Sequence, residues 1–317
     1  MKSTSLPKKA ACVGAGIIGS SWALLFAMKG VGVVVYDADR ASLERSKSNI
    51  REMLSSLVGN GVLTARSAAP VMSRISPTSD LGSISDADYV QESVTENLAV
   101  KIKALRKIER EVSETAIIAS STSGLSISAL QRGLLHPERS LVVHPFNPPH
   151  LIPLVELVPS EKTSERTVAA ARRFMIALGR EPILVKKQLP GLAANRIQAA
   201  IFREVLNLLD DGVVGMEDLE KVFVAGLGIR LAVMGQFTMF SLAAGEGGLG
   251  TYFERYGPHS SSILRTMKTW TEPPRSAKAK AVAAEKELQV IAMGHEEALR
   301  WRDARLIKLN RTMGYLS

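Results

Sequence analysis

The sequence holds a single cysteine, Cys12, among 317 residues. That excludes an internal disulfide framework and a cysteine-based structural zinc site. Histidine is scarce too, with five in the chain, and no metal site is expected. No zinc-finger spacing, RNA-binding aromatic motif or long basic run is present, so a formal net charge of +9 is not the footprint of a nucleic-acid binder. The basic residues are scattered instead. Arg300, Arg302, Arg305, Lys308 and Arg311 sit among helix formers, which reads as a solvated amphipathic face. Uninterrupted long hydrophobic runs are also missing. The one apolar stretch near the start, residues 10–28, is broken by Gly14, Gly16, Gly19, Ser20 and Ser21, and a second apolar run at 31–36 follows without a cleavage site or stop-transfer pattern. We therefore expect a cytoplasmic protein with no membrane partner. There is no internal repeat and no low-complexity tail.

What is present is an ordinary globular composition, 46% apolar and 22% charged, in a chain long enough for two domains. The first half alternates short β-branched runs with helical patterns, the signature of βαβ units around a parallel sheet. Strands are expected at 10–13, 31–36, 89–92, 116–119, 140–144, 155–158 and 183–186, with helices at 19–28, 40–57, 96–112 and 164–178 between them. After the breaker pair Pro190-Gly191 no convincing strand appears, and helical patterns take over. The expected fold class is α/β: a Rossmann-type, doubly wound, mostly parallel sheet over residues 1–189, followed by an all-helical domain over 190–317.

Val13-Gly14-Ala15-Gly16-Ile17-Ile18-Gly19 is a GxGxxG directly after a strand and at the start of a helix. The first glycine permits a tight turn, the second lets the backbone approach a pyrophosphate, and the third allows close helix–strand packing. The helix start adds free N–H groups and partial positive charge at Ile17 and Ile18. The second strand ends in Asp37, where a carboxylate accepts the ribose hydroxyls of NAD and repels the 2′-phosphate of NADP.

His144 ends an apolar strand, and in doubly wound sheets ligands bind at the carboxyl ends of strands. Twelve residues on, Glu156 lies within an apolar run, where an unpaired carboxylate is costly. A His144–Glu156 pair would act as an oriented general base, although a purely structural pair fits the spacing equally well. Ser120-Ser121-Thr122-Ser123-Gly124 places hydroxyls at the same sheet edge, and Asn195-Arg196 opens the first helix after the breaker pair.

These residues, with Glu96, Lys101, His144-Pro145-Phe146-Asn147-Pro148-Pro149 and Met234-Gly235, resemble the 3-hydroxyacyl-CoA dehydrogenase superfamily over roughly residues 10–256. Gly226-Leu227-Gly228-Ile229-Arg230 is similar to the branch containing lambda-crystallin (L-gulonate 3-dehydrogenase) and the carnitine dehydrogenases. The resemblance implies an NAD-dependent dehydrogenase in which His144 takes the proton of a 3-hydroxyl while hydride leaves C3. Glu156 would orient His144, Ser123 and Asn195 would bond the reacting oxygen, and Asn147 would support the histidine loop. Glu96 and Lys101 match positions near the nicotinamide ribose, and the helical domain would make a homodimer.

Members that use CoA carry a lysine-rich stretch where this chain has none, between Leu54 and Leu63. Arg230 is suited to holding a free carboxylate bidentately. A small anionic L-3-hydroxy acid, gulonate-like, is the expected substrate. Carnitine is the alternative, with Phe237, Phe240, Tyr252, Phe253 and Tyr256 available for a trimethylammonium cage. A 3-hydroxyacyl-CoA substrate and an NAD-binding, crystallin-like structural role stand behind these.

Overall fold

The computed structural model describes residues 6–316. It divides into two compact units: one runs through Ala193 and resumes at Arg302, and the other is Ala194–Trp301.

The first unit is built on an eight-stranded sheet. Its strands are β1 (Lys9–Val13), β2 (Gly32–Tyr36), β3 (Ile75–Thr78), β4 (Tyr89–Glu92), β5 (Ile117–Ser120), β6 (Ser140–Pro145), β7 (Leu154–Val158) and β8 (Glu181–Leu184). The order is β3-β2-β1-β4-β5-β6-β7-β8. All neighbours are parallel except β6 and β7. Six helices accompany the sheet: α1 (Ile17–Met28), α2 (Arg40–Gly59), α3 (Ala65–Ser73), α4 (Leu98–Glu111), α5 (Ile127–Leu130) and α6 (Glu165–Ala177). Side-chain caps start most of them. Asp39 accepts from the Ala41 and Ser42 N–H groups ahead of α2, and Asn97 and Ser164 cap α4 and α6. Helix α1 is apolar on all sides and is buried from Gly19 to Ala27, as expected of a helix packed inside a core.

Because side chains alternate along a strand, the sheet has two buried faces. One carries Cys12, Val33, Val35, Tyr89, Leu141, Val143 and Leu157 against α1 and α6 residues. The other carries Val13, Val34, Val90, Ile118, Val142 and Val158 with Leu105 and Ile108 of α4.

Sequence periodicity misses β3, α3 and the true position of the last strand. Strand β3 is an edge strand of four residues containing Pro77, and its side chains are mostly half-buried. Such a segment has neither the apolar run nor the alternation that identifies a strand. Strand β8 lies two residues ahead of the expected 183–186, because Pro182 is tolerated on an edge and reads as non-strand in sequence.

The second unit holds α7 (Ala194–Asp210), α8 (Met216–Lys221), α9 (Gly228–Val233), α10 (Gln236–Ala243), α11 (Gly248–Thr266), α12 (Arg275–Ala284) and α13 (Gln289–Ala292), with a π-helical turn at Val222–Leu227. Trp270 donates to Asn207 at 2.6 Å and Ser276 to Asp210 at 2.9 Å, tying α7 to the later helices. The final helix, α14 (His295–Thr312), begins in this unit and its later part belongs to the first. Residues 302–316, grouped by sequence with the helical domain, thus join the sheet unit. The physical reason is Ile307, which is buried in the sheet unit's core, together with Asn310, whose amide donates to the Leu151 carbonyl at 3.0 Å. No single helix among the described residues is long and apolar enough to cross a membrane.

The loop between β6 and β7 carries a buried histidine with a pH consequence. His150 bonds the Ser21 hydroxyl at 2.7 Å, and its pKa is lowered to about 3 by burial and by the charges of Arg180 and Arg302. The unfolded chain titrates it near 6.5, so the folded state favours neutral imidazole. Its contribution is present above pH 6.5 and is lost as the pH falls from 6.5 toward 3. Replacing His150 with Asn should therefore flatten the acid limb of stability by one proton, on the order of 1 kcal/mol per pH unit. Urea melts of both proteins between pH 7 and pH 4 check this; parallel curves would contradict it.

Candidate active site

The glycine loop between β1 and α1 is held from both sides. The Gly14 N–H donates to the Tyr36 carbonyl at 2.8 Å, and the Ala15 N–H donates to Asp37 Oδ2 at 2.9 Å. Asp37 also accepts from the Asp39 N–H at 3.0 Å, so one carboxylate at the end of β2 fixes two turns. The three glycines do different work. Gly14 has a φ of +104°, and a Cβ there would lie 2.6 Å from the Ser93 backbone. A Cβ on Gly19 would lie 1.9 Å from the Gly14 carbonyl oxygen, so only glycine lets α1 leave the turn this closely. Around Gly16 nothing lies within 4 Å of an added Cβ. The exposed Gly16 and Ile17 and the half-buried Ile18 therefore form an open approach to the start of α1. No side chain caps that helix and no acidic residue lies in its first turn. Its first N–H groups are accordingly available to an anionic group, which is the fit a dinucleotide pyrophosphate requires.

The register aligns the carboxyl ends of the strands: Tyr36 beside Val13, Val13 beside Glu92, Glu92 beside Ser120, and Ser120 beside Val142. Alternation then sends Glu92, Ser120, His144 and Glu156 to one face. Sequence reading overlooked Glu92, a carboxylate at the end of β4, whereas Glu156 is flanked on both sides by the apolar residues of β7. Glu92 is fully buried and accepts from Lys101 at 2.8 Å, the Val94 N–H at 2.7 Å and the Ser120 hydroxyl at 2.6 Å. Lys101 also reaches the Val94 carbonyl at 3.0 Å and Glu96 at 3.3 Å. All three of its donors are thereby engaged inside the protein, so Lys101 braces Glu96. Glu96 accepts from Thr122 Oγ1 and from the Gly124 N–H at 3.3 Å. Burial acts against its charge, but the Thr122 hydroxyl, Lys101 and the Gly124 N–H prevail and hold the carboxyl below its ordinary range.

Ser123 is half-buried in the loop that leaves β5. That loop is anchored to β6 through Gln91, which donates to Ser121 at 2.8 Å and to the Val143 carbonyl at 3.1 Å. Sequence reading did not single out Gln91. On β6 and β7, His144 lies directly opposite Glu156 in the antiparallel register. His144 Nδ1 is 2.9 Å from Glu156 Oε2, and both side chains are buried. A carboxylate only accepts, so Nδ1 carries a proton, and in the neutral imidazole Nε2 is the acceptor. Glu156 Oε1 accepts from the Ala193 N–H at 2.9 Å. The preceding Leu192 is the one non-glycine with positive φ, 51°, among the described residues, a conformation that costs about 1–2 kcal/mol. Asn147 is exposed on the loop after β6, and Phe146 sets its ring edge-on to His144 with centroids 6.0 Å apart.

Asn195 and Arg230 belong to the helical unit, in α7 and α9, and Arg230 is exposed there. In the same unit Phe240 stacks on Tyr252 with centroids 4.3 Å apart, and Phe253 and Tyr256 lie 5.8 and 5.4 Å from Tyr252. Phe237 is exposed and is not part of these ring contacts among the described residues. No group of three or more His, Cys, Asp or Glu side chains among the described residues is placed to hold a metal ion.

Comparison with known proteins agrees with this geometry. The 3-hydroxyacyl-CoA dehydrogenase NAD binding domain matches residues 9–188, and the C-terminal domain of the same family matches residues 191–284. The chain is 37% identical to an L-carnitine dehydrogenase of Oceanobacillus iheyensis over 251 residues, covering 79% of this chain and 81% of that protein. It is 36% identical to lambda-crystallin of Oryctolagus cuniculus over 314 residues, covering 95% and 96%. A solved NAD+-dependent dismutase, 5-formyl-3-hydroxy-2-methylpyridine 4-carboxylic acid 5-dehydrogenase, superposes with a TM-score of 0.80 at 30% identity, covering 96% of this chain and 97% of that one. The chain belongs to the 3-hydroxyacyl-CoA dehydrogenase family and is an NAD-dependent oxidoreductase.

The glycines generate a paired prediction. Gly16→Ala should fold with a stability loss under about 1 kcal/mol, because its Cβ meets open space, yet weaken NAD binding tenfold or more. Gly19→Ala should instead destabilise the protein, because its Cβ meets a backbone oxygen. Thermal melting and NAD titration by fluorescence check both; unchanged NAD affinity in Gly16→Ala would count against the loop as the pyrophosphate cradle.

Proposed function

We propose that this protein oxidises the 3-hydroxyl of a small free L-3-hydroxy acid, gulonate-like in character, with NAD. The observation that carries the chemistry is the buried His144–Glu156 pair, 2.9 Å apart on adjacent antiparallel strands. Glu156 fixes the tautomer of His144 and stabilises the imidazolium that forms when Nε2 takes the hydroxyl proton. Its second oxygen is held by the Ala193 N–H, so the carboxylate cannot rotate away from the ring. When bound, NAD would supply the acceptor for the hydride that leaves C3 as His144 Nε2 takes the hydroxyl proton. Asp37 receives the adenosine ribose hydroxyls, and Glu96, braced by Lys101 and Thr122, serves the nicotinamide side. Ser123 and Asn195 hydrogen-bond the reacting oxygen, and Asn147 supports the loop that carries His144.

Two features support a free acid over a CoA thioester. The segment from Leu54 to Leu63 offers no basic residue for a CoA phosphate, and the exposed Arg230 forms no ion pair among the described residues. Arg230 then holds the substrate carboxylate. L-Carnitine is the second reading, favoured by the cluster of Phe240, Tyr252, Phe253 and Tyr256, whose outer ring faces suit a quaternary ammonium group. We also propose a homodimer through the helical unit, which exposes Ile197, Phe202, Val224, Leu242 and Phe253. Light scattering should give about twice the mass of one chain; a monomer at micromolar concentration would contradict this.

The function is tested with L-gulonate, L-carnitine, L-3-hydroxybutyrate and 3-hydroxybutyryl-CoA as substrates. Turnover is expected with a free acid, and Arg230→Met should raise its KM tenfold or more. Turnover of the CoA ester alone would overturn the free-acid reading. His144→Gln should lower kcat by about 100-fold to 10,000-fold with NAD affinity within twofold. Full activity in that variant would refute the general base.

A further inference from the structure

The dyad residues sit at the two ends of one connection, and that connection is held down by polar side chains that the chemistry above leaves unused. Between β6 and β7, residues 149–152 are approached from three directions. Ser21, on α1 two residues after Gly19, accepts from the His150 N–H at 3.0 Å and bonds His150 Nδ1 at 2.7 Å. The hydroxyl, with one hydrogen and two lone pairs, thus holds the backbone and the ring of His150 at once. Arg180, just ahead of β8, donates to the Pro149 and Ile152 carbonyls at 3.2 and 3.3 Å. Asn310, on the returning part of α14, donates to the Leu151 carbonyl at 3.0 Å. The Leu151 and Ile152 N–H groups close onto the Pro148 carbonyl at 2.9 Å each.

Ser21, His150, Arg180 and Asn310 are all buried, between 0% and 6% exposed. Burying four such groups is unfavourable unless each is bonded, and apolar side chains would fill the same space at lower desolvation cost. What hydrogen bonds add is directional register. Here they join the helix that begins at the phosphate loop to the segment linking His144 with Glu156. We infer that Ser21, His150 and Asn310 are positioning residues, forming a clamp that sets the place of the His144–Glu156 pair relative to the cofactor helix. Being buried, they act through the loop. Hydride transfer is sensitive to placement at this scale, since an error of about 1 Å costs about 100-fold in rate. The inference rests on His144 and Glu156 being the reacting pair.

The test uses the full-length protein carrying Ser21→Ala, His150→Leu, His150→Asn or Asn310→Ala. The Asn variant keeps an acceptor near the position of Nδ1, whereas Leu removes it. Four quantities are measured: NAD affinity, kcat on the substrate that turns over, the deuterium isotope effect from the 3-deuterated substrate, and amide exchange of residues 150–152. Ser21→Ala, His150→Leu and Asn310→Ala should lower kcat tenfold or more with NAD affinity within twofold. They should also raise the isotope effect and speed loop exchange tenfold or more, both without and with NAD. His150→Asn should recover kcat to within threefold of the parent.

If loop exchange accelerates while kcat and the isotope effect stay at parent values, the clamp does not position the dyad and the proposal fails. It fails too if His150→Asn loses as much activity as His150→Leu, which is the mark of a merely structural residue. Should His150→Leu not fold, Ser21→Ala and Asn310→Ala decide the matter. The two readings fail separately: an active His144→Gln sinks the base, whereas unchanged loop exchange in Ser21→Ala and Asn310→Ala sinks the clamp whatever the turnover.

Discussion

Strands β6 and β7 form the single antiparallel pair in a sheet that is otherwise parallel, and the His144–Glu156 hydrogen bond depends on that reversal. In a parallel pair the two residues would be separated by a long crossover. Here a short connection turns the chain back on itself, and the register sets a histidine opposite a carboxylate with both side chains on one face. Burial then makes the contact durable, because each partner would be costly inside the protein without the other. The Ala193 N–H holds the other oxygen of Glu156, from the segment that leads out of the sheet unit. The strained backbone at Leu192 immediately before it is paid for by that anchoring and by the burial of its own side chain.

The same logic recurs at the middle of the sheet. Glu92, Lys101 and Glu96 form a connected charge network with no loose donor on Lys101, and Ser120 and Thr122 bring hydroxyls into it. A half-satisfied network at this depth would destabilise the unit, whereas a full one gives rigidity where the strands end. The result is a row of fixed polar groups along the carboxyl edge of the sheet, from the glycine loop to His144. That edge is where a doubly wound fold receives its ligands.

Much of the site was legible in residue order. The glycine loop, Asp37, His144 and Ser123 stand out as chemical types at or just beyond the end of an apolar strand, and Glu156 as a carboxylate inside one. Glu92 carries a weaker mark, because Gln91 beside it leaves β4 without a continuous apolar run. Gln91, His150, Arg180 and Asn310 were not legible. Their partners lie 52, 129, 31 and 159 positions away in the chain, and no local pattern records so remote a bond. Strand β3 was hidden for a different reason: an edge strand with a proline loses the periodic signal that buried strands keep.

Local physics sufficed for what depends on neighbours in the chain. Backbone sterics demand glycine at Gly14 and Gly19, apolar runs make strands, and side-chain caps start helices. These determined the α/β character, the dinucleotide loop and the two residues of the dyad. Tertiary structure alone decided the order of the eight strands and the one antiparallel pairing. It also decided that Lys101 braces Glu96 and that residues 302–316 return to the sheet unit instead of completing the helical one. Those outcomes rest on pairing desolvated polar groups across long chain separations, and burial, the quantity that sets their energy, exists only once the chain is folded.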